Sequence, residues 1–92
     1  RLLEEYEQSP IPVTIRKLVK QGGGHWEGSA SDIVEASKYL GCQIYDDVRK
    51  VGSLINKYEG LFWAVDRISY DMKRVGHKRE RKYVFKCLQC PQ

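Results

Sequence analysis

Cysteine is scarce in this chain of 92 residues. There are three, and an odd number cannot all pair. Cys42, Cys87 and Cys90 therefore argue for a reducing compartment, taken as cytoplasmic, rather than a disulfide framework. No apolar run approaches the roughly 18–20 residues that cross a bilayer. The charged start Arg1-Leu2-Leu3-Glu4-Glu5-Tyr6-Glu7 has no apolar segment of the secretory kind. Histidine is limited to His25 and His77, and neither stands near a serine or cysteine at a spacing that assembles a nucleophile and its base. Glu4-Glu5, Asp32 and Asp46-Asp47 read as solvated surface and as helix starts, where the dipole favours acid without any further role. Catalysis within these residues is not expected, and no cofactor is expected. Cys87-Leu88-Gln89-Cys90 has the spacing of half a zinc site, but the other candidates, Cys42, His25 and His77, are not paired in spacing. That stretch reads as a strand end running into a tail that Pro91 helps to stop, with no metal.

What the chain does have is apolar content of 41%, ten aromatic residues and one very basic segment. The apolar content suits one modest core in one domain. Residues 67–86 read as two alternating strands joined by a short turn. Ile68, Tyr70 and Met72 face one way, and Ser69, Asp71 and Lys73 the other. Beyond the turn Tyr83 and Phe85 face inward, with Lys82, Val84 and Lys86 outward. Gly76 supplies the backbone freedom of a tight connection. The segment holds eight basic and two acidic side chains, a net +6 against +4 for the whole chain. Such a concentration of cations on a hairpin points to a phosphate backbone beside it. Their neutralisation by the molecule's own carboxylates, or their dispersal over opposite sides, would count against that.

Residues 1–10 read as a connector ending at Ser9-Pro10-Ile11-Pro12, residues 11–87 as the domain, and 88–92 as a tail. The chain starts without Met in a helix-compatible stretch, so a larger parent polypeptide is expected. A helix over residues 12–21 carries Ile15, Leu18 and Val19 at helical spacing and stops at Gly22-Gly23-Gly24. The triple glycine lacks the Gly-Lys-Ser/Thr ending of a phosphate loop and reads as a turn. His25-Trp26-Glu27-Gly28 is expected to be extended, with Trp26 anchored in the core beneath the hairpin. Ser29-Ala30-Ser31-Asp32 has the capping-box form, opening a helix that buries Ile33, Val34, Ala36 and Leu40 and closes at Gly41. Asp46 or Asp47 then caps a helix whose apolar stripe is Val48, Val51, Leu54, Ile55 and Tyr58. Gly52 costs that helix about 1 kcal/mol relative to alanine, which suggests a close approach by another backbone. Glu59-Gly60 interrupts it, and residues 61–66 fit either a further helical turn or the lead-in to the strand.

Three helices, a short strand near Trp26 and a small antiparallel C-terminal hairpin make an α+β winged helix-turn-helix. A double-stranded-RNA-binding fold fits less well, since it places its strands between two outer helices. The stretches Trp26-Glu27-Gly28-Ser29-Ala30-Ser31-Asp32, Val51-Gly52-Ser53-Leu54-Ile55, Ile68-Ser69-Tyr70 and the basic residues 79–85 resemble a winged-helix module. Modules of that type lie at the C-terminal end of phage and mobile-element primase/helicase-type replication proteins, behind a RecA-like ATPase domain. The pattern runs W-x-G-[ST]-[AT]-x-[DE], then L-G-x-x-L, then a basic wing; Val51 stands where the pattern has leucine. The resemblance spans about residues 12–86, and it implies a DNA-replication context and an upstream ATPase or primase domain.

In such a layout the helix from Val48 offers Arg49, Lys50, Ser53, Asn56 and Lys57 to the major groove. Arginine and asparagine have the geometry to read guanine and adenine edges. The wing brings Lys73, Arg74, His77, Lys78, Arg79 and Arg81 to phosphate or into a minor groove. The expected partner is DNA, duplex or single-stranded. The competing expectation is a protein-docking module that meets an acidic partner or the upstream ATPase domain. It draws on Tyr6, Tyr39, Tyr45, Phe62 and Trp63, more aromatic surface than a small core easily hides.

Overall fold

A computed structural model describes residues 1–75 and 80–88. It is an α+β arrangement of five helices and a three-stranded antiparallel sheet: α1 (Leu2–Gln8), α2 (Pro10–Gln21), β1 (His25–Gly28), α3 (Ala30–Tyr39), α4 (Val48–Lys57), α5 (Glu59–Asp66), β2 (Ile68–Val75) and β3 (Glu80–Cys87). The strand order is β1-β3-β2. The last strand is thus central, and β1 pairs with it across three intervening helices. No described helix is long and apolar enough to cross a membrane.

The local signals act as expected at most helix ends. Ser9 accepts from the Ile11 amide ahead of Pro10, where the missing N–H costs nothing. Ser29 and Asp32 form the reciprocal capping box at 3.2 and 2.9 Å. Asp47, rather than Asp46, caps α4 by accepting from the Lys50 amide at 2.8 Å. Gly23 and Gly24 hold φ of 72° and 102°, the left-handed turn that separates α2 from β1.

Five helices stand where three were expected. α5 occupies residues that fitted either helix or strand, and the break from α4 falls at Tyr58 rather than at Glu59-Gly60. Neither end of α5 carries a strong signal. Its N-cap makes no side-chain bond, and its C-cap is Arg67 in the left-handed region at φ 54°. Glycine or asparagine usually fills that place. The guanidinium of Arg67 lies 5.6 Å from the Trp63 ring centroid, a cation–π contact that favours the turn. α1 forms from residues that read as a connector, and its Tyr6 is completely buried.

The core is aromatic at its centre. Tyr6 meets Tyr58 and Phe62 edge-on, each at 5.5 Å, and Phe62 meets Phe85 at 5.6 Å. On the inner face of the sheet the register sets Trp26, Phe85 and Tyr70 side by side. Phe85 stacks on Trp26 at 6.3 Å and on Tyr70 at 5.5 Å. Cross-strand aromatic pairs of this kind pin the register of a sheet. Trp26 is therefore a partly buried flank of that row, packed beside the hairpin rather than beneath it. Of the stripe assigned to α4, Val51, Ile55 and Tyr58 are buried and Leu54 partly so, whereas Val48 is exposed. The buried hydroxyls of Thr14 and Ser37 are satisfied, donating to the Pro10 and Val34 carbonyls.

Candidate nucleic-acid interface

α4 rises from its Asp47 cap with Val51, Gly52 and Ile55 turned into the core, which leaves Arg49, Lys50, Ser53, Asn56 and Lys57 exposed on the opposite arc. The arc has two different edges. Lys57 donates to Glu5 on α1 at 3.0 Å, and Lys50 lines a shallow cleft with Glu5 and Asp46. Carboxylates thus lie along the α1 edge. The Tyr58 hydroxyl also donates to Glu5, and this bond with the one from Lys57 holds that carboxyl below its ordinary range. On the hairpin edge Tyr70 donates to Oδ1 of Asn56 at 3.0 Å. Burial pushes the Tyr70 phenol up to about 12, so it remains a donor. One lone pair of the Asn56 carbonyl is thereby used, and its NH2 stays available.

The hairpin divides its charge. Strand alternation puts Lys73, Lys82 and Lys86 on the outer face and Arg74 and Arg81 on the inner, α4-facing side. Like charges stand opposite one another on both faces, Lys73 against Lys82 and Arg74 against Arg81. Such pairs destabilise a sheet. On the outer face Lys82 is partly neutralised by Glu27 at 3.5 Å. Val84 is buried there between Glu27 and Asp71 in register. On the inner face no carboxylate pairs with Arg74 or Arg81 among the described residues. Among the described residues the single cationic arm expected from composition is therefore divided between two faces. Of the described residues of the two strands, only Arg74 and Arg81 join the hairpin edge of α4. His77, Lys78 and Arg79, with Gly76, lie outside the described residues.

Between the N-terminal ends of α3 and α4 and strand β3 lies a groove of about 590 Å³, whose walls include Arg49, Arg81, Val48, Ser31, Gly52 and Tyr83. The approach that requires Gly52 comes from a side chain, not from another backbone. A Cβ at that position would stand 2.8 Å from the Tyr83 hydroxyl oxygen. Sequence reasoning placed Tyr83 in the core and did not join it to Gly52, since the contact arises from the packing of α4 on the sheet.

The remaining candidates stay apart. Tyr6 and Phe62, counted among aromatics in excess of the core, are completely buried, while Tyr39, Tyr45 and Trp63 are exposed. His25 begins β1 and lies 3.8 Å from Glu27. Cys42 lies against the Thr14 hydroxyl, Cys87 is near the Asp66 carbonyl, and Cys90 is outside the described residues. Among the described residues no group of three or more His, Cys, Asp or Glu side chains is placed to hold a metal. No family model matches the chain, and neither a curated protein nor a solved structure does.

Proposed function

We propose that this chain is a winged-helix domain that binds DNA, with α4 as the recognition helix and the β2–β3 hairpin as the wing. The sequence resemblance adds a setting, the C-terminal module of a replication-associated protein of a phage or mobile element, beside an ATPase or primase domain. The order α2-β1-α3-α4-β2-β3 with strands β1-β3-β2 supports the fold, with α5 as an added turn before the wing. The division of the hairpin's lysines and arginines between two faces counts against the whole arm lying on phosphate, so one inner-face observation carries the function. Arg74 and Arg81 face each other across the hairpin without a carboxylate partner among the described residues, on the side where Arg49 of α4 also stands. Juxtaposed guanidinium groups repel unless an anion lies between or beside them. A phosphate backbone supplies one at each step.

Fluorescence anisotropy with random duplex and single-stranded DNA, taken across a salt series, tests this. About five phosphate contacts give a log–log salt slope near −4 to −5. Asn56→Ala alters sequence preference if α4 reads bases, while Arg74→Glu weakens binding to all sequences alike. Absence of binding to both forms at the lowest salt removes the proposal. The docking alternative draws on Tyr39 and Tyr45, 85% and 87% exposed. A partner held by those rings shows a much shallower salt dependence.

A further inference from the structure

Four tyrosines of the fold are largely buried, and three of them are bonded through their hydroxyls: Tyr6 to Asp66, Tyr58 to Glu5 and Tyr70 to Asn56. Tyr83 is the exception. Its side chain is 3% exposed and its ring stacks on Tyr70 at 5.9 Å. Its hydroxyl has no hydrogen-bond partner among the described residues, yet it is not sealed off. It opens into the groove beside Gly52, where any side chain at position 52 would obstruct it. A hydroxyl that opens into a groove bonds to water there, and an oxyanion that displaces the water takes up its hydrogen.

We infer that this groove is a phosphate-binding subsite, with the Tyr83 hydroxyl as the donor at its floor and the guanidinium groups of Arg49 and Arg81 at its walls. The chemistry of the lining selects the ligand class. Two guanidinium forks and the hydroxyls of Tyr83, Ser29 and Ser31 can donate, and no carboxylate is among the lining residues. Such a set takes a tetrahedral oxyanion and rejects a cation. The apolar side chain of Val48, 45% exposed, borders the same space and gives a sugar carbon a surface to lie on. A volume near 590 Å³ exceeds what a bare phosphate needs and accommodates a phosphate carrying a sugar. The phosphate comes either from a nucleic-acid backbone or from a free phosphate compound. Only the first source rests on the DNA-binding proposal.

The test is amide and arginine-side-chain NMR on the intact chain, titrated separately with inorganic phosphate and with a short random duplex, for the wild type and for Tyr83→Phe. Phenylalanine keeps the ring stack and removes only the hydroxyl. Phosphate is expected to move the Gly52 amide and the Nε–H groups of Arg49 and Arg81 along one saturable curve. Loss of one hydrogen bond to a charged group weakens it about tenfold in Tyr83→Phe. The duplex is expected to move the same resonances, with the same loss. If phosphate leaves them unmoved, or Tyr83→Phe titrates as the wild type does, the subsite is overturned. Duplex binding with silent groove resonances overturns the subsite and leaves the DNA proposal standing. Saturable phosphate binding without duplex binding keeps the subsite for a free phosphate compound and removes the DNA proposal.

Discussion

Tyr58 donates its hydroxyl hydrogen to Oε2 of Glu5 at 2.6 Å, tying the end of α4 to α1 across 53 positions of sequence. At the next residue of α1, Tyr6 donates to Asp66, which also receives Arg16 at 2.8 Å. α1 is thus held by an aromatic side chain in the core and by two tyrosine–carboxylate bonds. Tyr6→Ala is expected to destabilise the fold by about 3–5 kcal/mol, the usual cost of removing a buried large aromatic. Urea unfolding of that variant and of a chain lacking residues 1–8 checks it. If the shortened chain matches the stability of the full one, α1 contributes nothing to the core.

The same bonds set the pH range of stability. Burial, with the hydrogen bond to Glu5, pushes the Tyr58 phenol up to about 12, and burial does the same for Tyr70. A folded pKa above the unfolded value of 10.0 gives stability that is complete below pH 10 and is lost as pH rises toward 12. Glu5 behaves oppositely, since its bonds from Tyr58 and Lys57 depress its pKa. Its contribution is present above the ordinary carboxylate value and disappears as pH falls through the lowered one. Urea midpoints across pH, with phenolate absorbance followed in parallel, test both limits. In Tyr58→Phe both the alkaline loss and the acid loss are expected to shrink.

Gly52 and Tyr83 make a test of packing against helix propensity. Alanine at 52 gains about 1 kcal/mol of helix stability, but its Cβ meets the Tyr83 oxygen at 2.8 Å and the ring carbon that bears it only at 4.0 Å. In Tyr83→Phe the clash is absent. Gly52→Ala is therefore expected to stabilise the Tyr83→Phe protein by about 1 kcal/mol and the wild type by less or not at all. Thermal unfolding of the four proteins gives the coupling directly. Equal effects in both backgrounds refute the contact.

Arg74 and Arg81 offer a variant in which stability and binding move in opposite directions. Arg74→Glu converts a like-charge pair into an opposite-charge one and is expected to stabilise the hairpin by roughly 0.2–1 kcal/mol. The same change is expected to weaken DNA binding. Denaturation and anisotropy on one preparation separate the two. A variant that loses both stability and binding speaks for a structural role instead.

The α4 cap discriminates between two adjacent aspartates. Asp47 accepts from the Lys50 amide at 2.8 Å, and Asp46 makes no capping bond. Asp47→Ala is expected to cost about 0.5–2 kcal/mol, and Asp46→Ala to lie near neutral. Circular dichroism melts of both variants decide it.

Local chemistry made much of this fold legible. The Ser29–Asp32 box, the glycine turn before β1 and the stripe of Val51, Ile55 and Tyr58 are readable because each depends on neighbours within one or two turns. The period-two hairpin is readable for the same reason, down to Tyr83 and Phe85 facing inward. α5 escaped because its ends use Tyr58 and Arg67, neither a usual cap; the stretch of α1 read as helix-compatible, but the docking of its Tyr6 into the core depends on Tyr58 and Phe62, far along the chain. The exposed arc of α4 was readable as a set of residues, but not the difference between its edges. That difference comes from Glu5, brought alongside by α1.

By itself the sequence determined where α2, α3, α4 and the three strands lie and how much positive charge the last strands carry, since both follow from short-range preference and counting. Only the tertiary structure decided which charged residues meet across strands and helices. Strand alternation already assigned Lys73, Lys82 and Lys86 to the outer face, and the cross-strand register then set Arg74 against Arg81. The packing of α4 on the sheet then brought Gly52 under the hydroxyl of Tyr83. Contacts between residues 31 positions apart depend on how whole elements are docked, and no local rule of the chain encodes that.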